Sequence, residues 1–201
     1  MRSDFKIFKE ATDVLDNIKI DYVVFGGIAI WAYGRQRLTK DIDLLLKPGS
    51  ADKALLALLR AGWTTKRTDE KWLYQANKNH VQVDLIFQAI GDFVLTDEII
   101  DRANYLEISG FKFKVISPED LILIKVHALK EIRPADWYDA ISVIEGRKQN
   151  LDWSYIAAKS SNAPERVLSF LLFSASEGVG DYIPKWILEN LSAKVFEKKA
   201  A

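Results

Sequence analysis

Three carboxylates stand inside runs that otherwise read as buried strand: Asp41 and Asp43 in DIDLLL, and Asp84 in VQVDLIF. Successive side chains of a strand leave on opposite faces, so Asp41 and Asp43 share one face while Ile42 and Leu44 take the other. By the same alternation Gln82 shares the face of Asp84, and Val83 and Leu85 take the reverse. Two like charges in an apolar strand repel each other and are poorly solvated unless a cation sits between them or water reaches them. The chain must therefore build a sheet that buries one face and keeps part of the other polar. A hard cation with oxygen ligands is an economical counter-charge, and magnesium ordinarily takes one or two protein carboxylates together with phosphates and waters. If the two strands are neighbours, a triad of Asp41, Asp43 and Asp84 can hold two metal ions, with Asp84 also placed to accept a hydroxyl proton. Two other readings stay open: a water-exposed strand end whose acids pair with Arg35, Arg37 or Lys40, and an edge-strand charge at Asp84 that discourages sheet aggregation.

The rest of the pattern supplies the frame. Phe5, Phe8, Ala11, Thr12, Leu15 and Ile18 recur at helical spacing and predict a helix over 4–18. A short β-branched and aromatic run over 22–25 ends at Gly26-Gly27, and a helix over 28–33 closes at Gly34. After the DIDLLL strand, Pro48-Gly49 breaks the chain, and a helix starting at Ser50 or Asp52 directs Ala54, Leu55, Leu58 and Leu59 inward until Gly62. Strands are expected over 63–66, 72–76 and 81–87, and a hairpin over 105–115 turning at Ser109-Gly110. SPED at 117–120 places Ser at an N-cap, Pro at the first helical position and an acid at the third, a capping box ahead of LILIKVHALK. Helices follow over 134–144, around Trp153, over 164–175 and over 184–194. The expected fold class is α/β (α+β), a mixed sheet flanked by helices over 1–116 with a helical region over 117–201.

Composition narrows the function. The 28 basic and 28 acidic residues cancel, so a bulk basic surface for nucleic acid is not expected, although a few Arg or Lys can still focus a positive field in a cleft. Absence of cysteine excludes disulfides, thiolate metal sites and a cysteine nucleophile. The polar start and the shortness of apolar runs such as 167–173 predict no membrane segment and a cytoplasmic location. His80 and His127 carry no catalytic signature, and the six Trp lack the interleaved basic residues of a stacking platform. Trp31 either packs in the core or borders a base pocket.

Gly26 and Gly27 lie between a strand and a helix, the layout in which backbone N–H groups and a helix N-terminus receive phosphate. Paired glycines also make a plain tight turn. Arg35, Arg37 and Thr39 occupy the return loop toward Asp41; Arg37 is the first choice for a phosphate contact.

Together FGGIAIWAYGRQRLTKDIDLLL and VQVDLIF resemble the nucleotidyltransferase superfamily, whose pattern is a glycine turn, a short helix, Asp-x-Asp and a later Asp on a neighbouring strand. The resemblance implies that Gly26 and Gly27 hold the triphosphate of a nucleotide donor, ATP favoured, and that Asp41, Asp43 and Asp84 bind two Mg2+ ions. Many relatives have Ser where this chain has Gly27, which removes one phosphate contact. ISPEDLILIKVHALKEIRPADWYDAISVI resembles a bacterial branch that includes toxin-type members of abortive-infection systems. That likeness implies that Lys125 reaches nucleotide phosphate and that Asp136 orients it or the acceptor, with Arg133 and Asp139 beside them. Lys125 on a solvent-facing stripe and Asp136 as a helix cap are the alternatives.

The activity expected is metal-dependent transfer of a nucleoside monophosphate from an NTP to a hydroxyl of an acceptor: a small molecule, a protein side chain or a tRNA end. A partner protein or a homodimer is compatible with this. The alternatives are a nucleotide-binding or regulatory protein of a toxin–antitoxin system with weak or absent turnover, and a purely structural α/β domain.

Overall fold

The computed structural model describes residues 2–36, 39, 41–91, 93–130, 133 and 135–197. The chain divides into two compact units, one from Met1–Ala32 with Gln36–Ser117, the other from Tyr33–Arg35 with Pro118–Ala201.

The first unit is built on a mixed sheet whose strands are β1 (Tyr22–Phe25), β2 (Asp41–Leu46), β3 (Thr64–Asp69), β4 (Leu73–Lys78), β5 (Val81–Ile86), β6 (Asn104–Ile108) and β7 (Phe111–Val115), in the order β3-β4-β5-β2-β1-β7-β6. β2 and β5 run parallel at its centre, as do β1 and β7, while β1–β2, β3–β4, β4–β5 and β6–β7 are antiparallel. This is the expected α/β class. The β4–β5 and β6–β7 hairpins turn on residues with positive φ, Asn79 and His80 (48° and 61°) and Ser109 and Gly110 (53° and 84°). Two such residues in succession give the twist that a two-residue turn needs.

Helices α1 (Arg2–Asn17) and α3 (Ala51–Arg60) pack on the sheet, α2 (Gly26–Tyr33) follows β1 directly, and α4 (Asp97–Arg102) precedes β6. The buried stripe of α1 is Phe5, Phe8, Ala11 and Leu15. Phe5 meets the rings of Phe8, Trp31 and Phe113 at centroid distances of 5.5, 5.2 and 6.2 Å. Trp31 is thus an aromatic packing partner of α1. Each large apolar side chain buried here stabilises the fold by roughly 1.5–3 kcal/mol.

Two local expectations differ from the structure. Ala54, Leu55 and Leu58 are buried as expected, but Leu59 is 51% exposed. It lies about 100° around the helix from Leu58, past the edge of the buried stripe. Helix α4 was not expected at all. It is short, with Ile99 its buried residue, and rests on Thr96, whose hydroxyl accepts from the Ile99 N–H at 3.3 Å.

The second unit contains α5 (Pro118–Ala128), α6 (Ala135–Arg147), α7 (Trp153–Lys159), α8 (Pro164–Ser174) and α9 (Lys185–Glu197). Pro134, expected to open α6, lies outside the described residues. Helix α5 is buried at every position but His127 and packs against α6, α7 and α8, which accounts for its LILI run. At its start the two acids serve neighbours: Glu119 accepts from the Asp152 N–H at 2.9 Å, and Asp120 from the Tyr155 hydroxyl at 2.8 Å. At its other end Arg166 donates to the Val126 and Leu129 carbonyls at 2.7 and 2.6 Å, and the Trp137 indole to Val126 at 3.2 Å. These donors satisfy carbonyls that a helix end leaves without intrahelical partners.

Residues Tyr33–Arg35 belong to this unit because α6 grips them. A Cβ on Gly146 would lie 2.0 Å from the Tyr33 carbonyl oxygen, and one on Gly34 would lie 2.5 Å from Ser142 Oγ. Only glycine permits so close a backbone approach. Among the described residues no helix is long and apolar enough to cross a membrane.

Candidate functional site

The carboxylates of the first unit are placed by strand register. Parallel pairing of β2 with β5 sets Asp43 opposite Asp84 and Asp41 opposite Gln82. Neighbouring strands lie about 4.8 Å apart, so all three acids project from one face of the sheet. The alternate residues Ile42, Leu44, Val83 and Leu85 are fully buried, whereas Asp41, Asp43 and Asp84 retain partial exposure.

Neutral donors are among the groups that reach these acids. Thr39 Oγ1 donates to Asp41 Oδ1 at 2.6 Å, and the Gly27 N–H reaches Asp43 Oδ2 at 3.4 Å. Gln75 and Gln82 both donate to Asp84 Oδ1, at 2.9 and 2.8 Å. Burial pushes the Asp84 carboxyl above the usual carboxylate range and the charge of Asp41 adds to this, while the two carboxamides act in the opposite direction.

The glycine turn is fixed by the same acids. Gly26 has φ +58°, and a Cβ there would lie 1.8 Å from Asp43 Oδ2. Both the left-handed backbone and the close approach require glycine. Helix α2 starts at this turn, so its first N–H groups and the positive end of its dipole lie beside Asp43. Gly26, Gly27, Thr39, Asp41, Asp43 and Asp84 are therefore brought together. Arg37, the expected phosphate contact, lies outside the described residues.

Among the described residues no three carboxylate, imidazole or thiol groups form a ready-made metal cage. An open magnesium site does not need one, because phosphate and water complete its coordination. Oxygen-only donors, carboxylates on adjacent strands and the neutral hydrogen-bond partners of Asp41 and Asp84 fit such an ion.

Lys125 and Asp136 belong to a second cluster. Lys125 Nζ donates to Asp136 Oδ1 at 2.8 Å and to Asp139 Oδ2 at 3.1 Å, all three side chains being at most 7% exposed. Arg133 Nε donates to Asp136 Oδ2 at 2.7 Å, and Arg35 Nη2 and Nε to Asp139 Oδ1 at 2.6 and 3.1 Å. Ser142 links the same elements, accepting from the Arg35 N–H at 3.3 Å and donating to the Asp139 carbonyl at 2.7 Å. Burial raises the proton affinity of Asp136, but hydrogen bonds and charge from Arg133 and Lys125 overcome this and hold its carboxyl below the usual range. Lys125 faces inward, so the solvent-facing alternative for it does not hold.

Sequence reasoning missed Gln75 as a partner of Asp84 and Arg35 as a partner of Asp139. Gln75 faces Asp84 only through the β4–β5 register, and Arg35 is 104 residues from its carboxylate. His127 Nδ1 lies 2.8 Å from the Leu123 carbonyl within α5, and His80 is an exposed turn residue.

Comparison with known proteins agrees with this fold. Among solved structures the chain is similar to the lincomycin-bound lincosamide antibiotic adenylyltransferase LnuA, with 19% identity over 69% of this chain and 96% of that one and a TM-score of 0.50. It is similar to the antibiotic-resistance factor ANT(2'')-Ia, with 16% identity over 86% and 91% and a TM-score of 0.54. JHP933 from Helicobacter pylori is 14% identical over 98% and 96%, again with a TM-score of 0.54. These likenesses carry the fold. No curated protein sequence matches the chain. Residues 4–173 match the family described as "Nucleotidyl transferase of unknown function (DUF2204)", and with that match over most of its length the chain belongs to this family, within the nucleotidyltransferase superfamily.

Proposed function

We propose that this NTP-dependent nucleotidyltransferase moves a nucleoside monophosphate, preferentially from ATP, onto a hydroxyl of its acceptor, with Asp41, Asp43 and Asp84 holding magnesium. The observation that carries the reading is the in-register pairing of Asp43 with Asp84, with Asp41 on the same face and Gly26 held against Asp43. When bound, magnesium, two ions at full occupancy, supplies positive charge to the triphosphate and to the attacking oxygen. The acceptor oxygen bonds to the α-phosphorus, the bond to the β-phosphate breaks, and pyrophosphate leaves. Asp84 takes the hydroxyl proton, a role suited to a carboxyl whose burial raises its proton affinity. Gly26 and Gly27 offer the N–H groups at the start of α2 to phosphate oxygens, Thr39 steadies Asp41, and Arg37 adds a cation to the donor phosphates.

Lys125 gives two of its three N–H groups to buried carboxylates and its side chain is only 7% exposed, so at most one N–H remains for a phosphate. We therefore assign Lys125 and Asp136 to fixing α5 on α6 in preference to direct phosphate contact. In the same reading residues 1–116 carry the donor chemistry and 117–201 serve acceptor recognition. One neighbour of this fold is named as an antibiotic adenylyltransferase and another as an antibiotic-resistance factor, which makes a small hydroxyl compound the first acceptor to test, ahead of a protein side chain or a tRNA end.

The test is incubation with magnesium, a cell lysate and ATP labelled at either the α- or the γ-phosphate. Label from the α-phosphate is expected in an acceptor, and Asp84→Ala is expected to lose this transfer while remaining folded. Transfer of γ-label would identify a kinase, and absence of α-transfer to small-molecule, protein and tRNA fractions would sink the proposal.

A further inference from the structure

The face that carries the acids is a grid. Register across β4, β5 and β2 aligns Gln75, Asp84 and Asp43 in one row, and Asn77, Gln82 and Asp41 in the row beside it. Directly opposed residues share a face, so Asp84 has a carboxamide on its β4 side and a carboxylate on its β2 side. Gln75 and Gln82 both donate to Oδ1 of Asp84. A carboxylate oxygen offers two in-plane lone pairs, and two N–H donors occupy them. Among the described residues no protein donor reaches Oδ2.

A carboxamide can present either its N–H or its C=O end, and Thr68 on β3 decides which end of Gln75 faces Asp84. Its hydroxyl donates to Gln75 Oε1 at 2.7 Å, which leaves Nε2 for the acid. The neutrality of these donors matters. A Lys or Arg in their place would form an ion pair and compete with a metal for the carboxylate, whereas a carboxamide fixes one oxygen and leaves the negative charge in place.

We propose that Gln75 and Gln82, with Thr68 orienting Gln75, are positioning residues that hold Oδ1 of Asp84 and reserve Oδ2 for the metal and for the acceptor proton. This rests on Asp84 being a ligand and base, as argued above. Hydrogen-bond partners behind a metal-ligating group typically alter affinity or activity by 10–100-fold.

The probe is Mn2+ alone, titrated into the full chain and followed by the electron paramagnetic resonance signal of the free ion. Asp84→Asn marks ligation. Gln75→Leu and Gln82→Leu are expected to weaken Mn2+ binding about tenfold. Thr68→Val, which keeps the shape and removes the hydroxyl, should weaken it less, and Thr68→Ser should bind as the wild type does. The exposed Thr68 pair keeps the test alive if a glutamine variant fails to fold, because both forms should melt at the wild-type temperature. Wild-type affinity in the glutamine variants and in Thr68→Val, with binding lost in Asp84→Asn, would overturn the positioning role and leave the metal reading intact. Wild-type Mn2+ affinity in Asp84→Asn, or no Mn2+ binding by the wild type, would overturn both.

Discussion

Asp136 and Asp139 are more deeply buried than Asp41 or Asp84, yet the deeper pair is the better neutralised. In the helical unit each acid accepts from cations: Lys125 and Arg133 at Asp136, Lys125 and Arg35 at Asp139. In the sheet unit Asp41 accepts from a hydroxyl and Asp84 from two carboxamides. Complete neutralisation suits a charge that fastens helices together, and neutral donors suit a charge held ready for a ligand. The helical cluster should therefore be a store of stability and the ionised Asp84 a cost.

The largest effect should come from Lys125→Met, which leaves two buried carboxylates short of a partner. Breaking a buried pair from one side typically costs about 3–5 kcal/mol. Denaturant unfolding should report a loss of that order and a melting temperature lower by roughly 10 °C. An unchanged midpoint would mean that the cluster does not hold α5 to α6.

Next in size is the response of the sheet cluster to its ligand. Magnesium ATP at one hundred times its dissociation constant should stabilise the wild type by about 2.7 kcal/mol. Differential scanning fluorimetry should show a shift that requires magnesium, and Asp41→Asn or Asp43→Asn should remove the metal-dependent part. A full shift in either variant would detach the acids from the metal.

Asp84→Asn tests the proposed cost directly. The carboxyl of Asp84 is raised in the fold, so its favourable contribution is present below the unfolded value, near 3.9, and is lost as pH rises through the folded value. At neutral pH the ionised group is a net burden, and the substitution should raise stability by something on the order of 1 kcal/mol, or about 2–4 °C. A lower melting temperature would contradict the comparison.

The smallest effect belongs to Arg133→Gln. Arg133 is half exposed, so its pair with Asp136 should contribute no more than about 1 kcal/mol. Its use lies in the acid limb. The depressed carboxyl of Asp136 contributes stability above the unfolded value and loses it as pH falls through the lower folded value, below roughly pH 4. Removing the Arg133 charge should move this loss to higher pH in acid unfolding curves. An identical acid limb would show that Lys125 alone depresses the carboxyl.

What was legible in the sequence follows the range over which each feature is determined. The bounds of β1 and β2 were readable because alternation and the following glycine and proline breaks are local. The shared face of Asp41 and Asp43 was readable for the same reason. The partnership of Asp84 with Gln75 was not, because it depends on which residues of separate strands stand opposite one another. Helix α4 offered too short a periodic segment, and Leu59 shows that an apolar residue in a helical pattern need not lie on the buried stripe. The burial of Lys125 was likewise hidden, since a lysine in an apolar helix reads as solvent-facing until its carboxylate partners are located.

The grip of α6 on Tyr33–Arg35 has a consequence for synthesis. Arg35 leaves the ribosome 104 residues ahead of Asp139. At roughly 5–20 residues per second it waits on the order of 5–20 s for its carboxylate. Throughout that interval the nascent chain carries Tyr33 and Gly34 without the helix whose Ser142 and Gly146 they meet in the finished protein. Slowing or speeding translation across the intervening codons should therefore change how long this segment is open to proteolysis or to a chaperone, with no change in the amino-acid sequence.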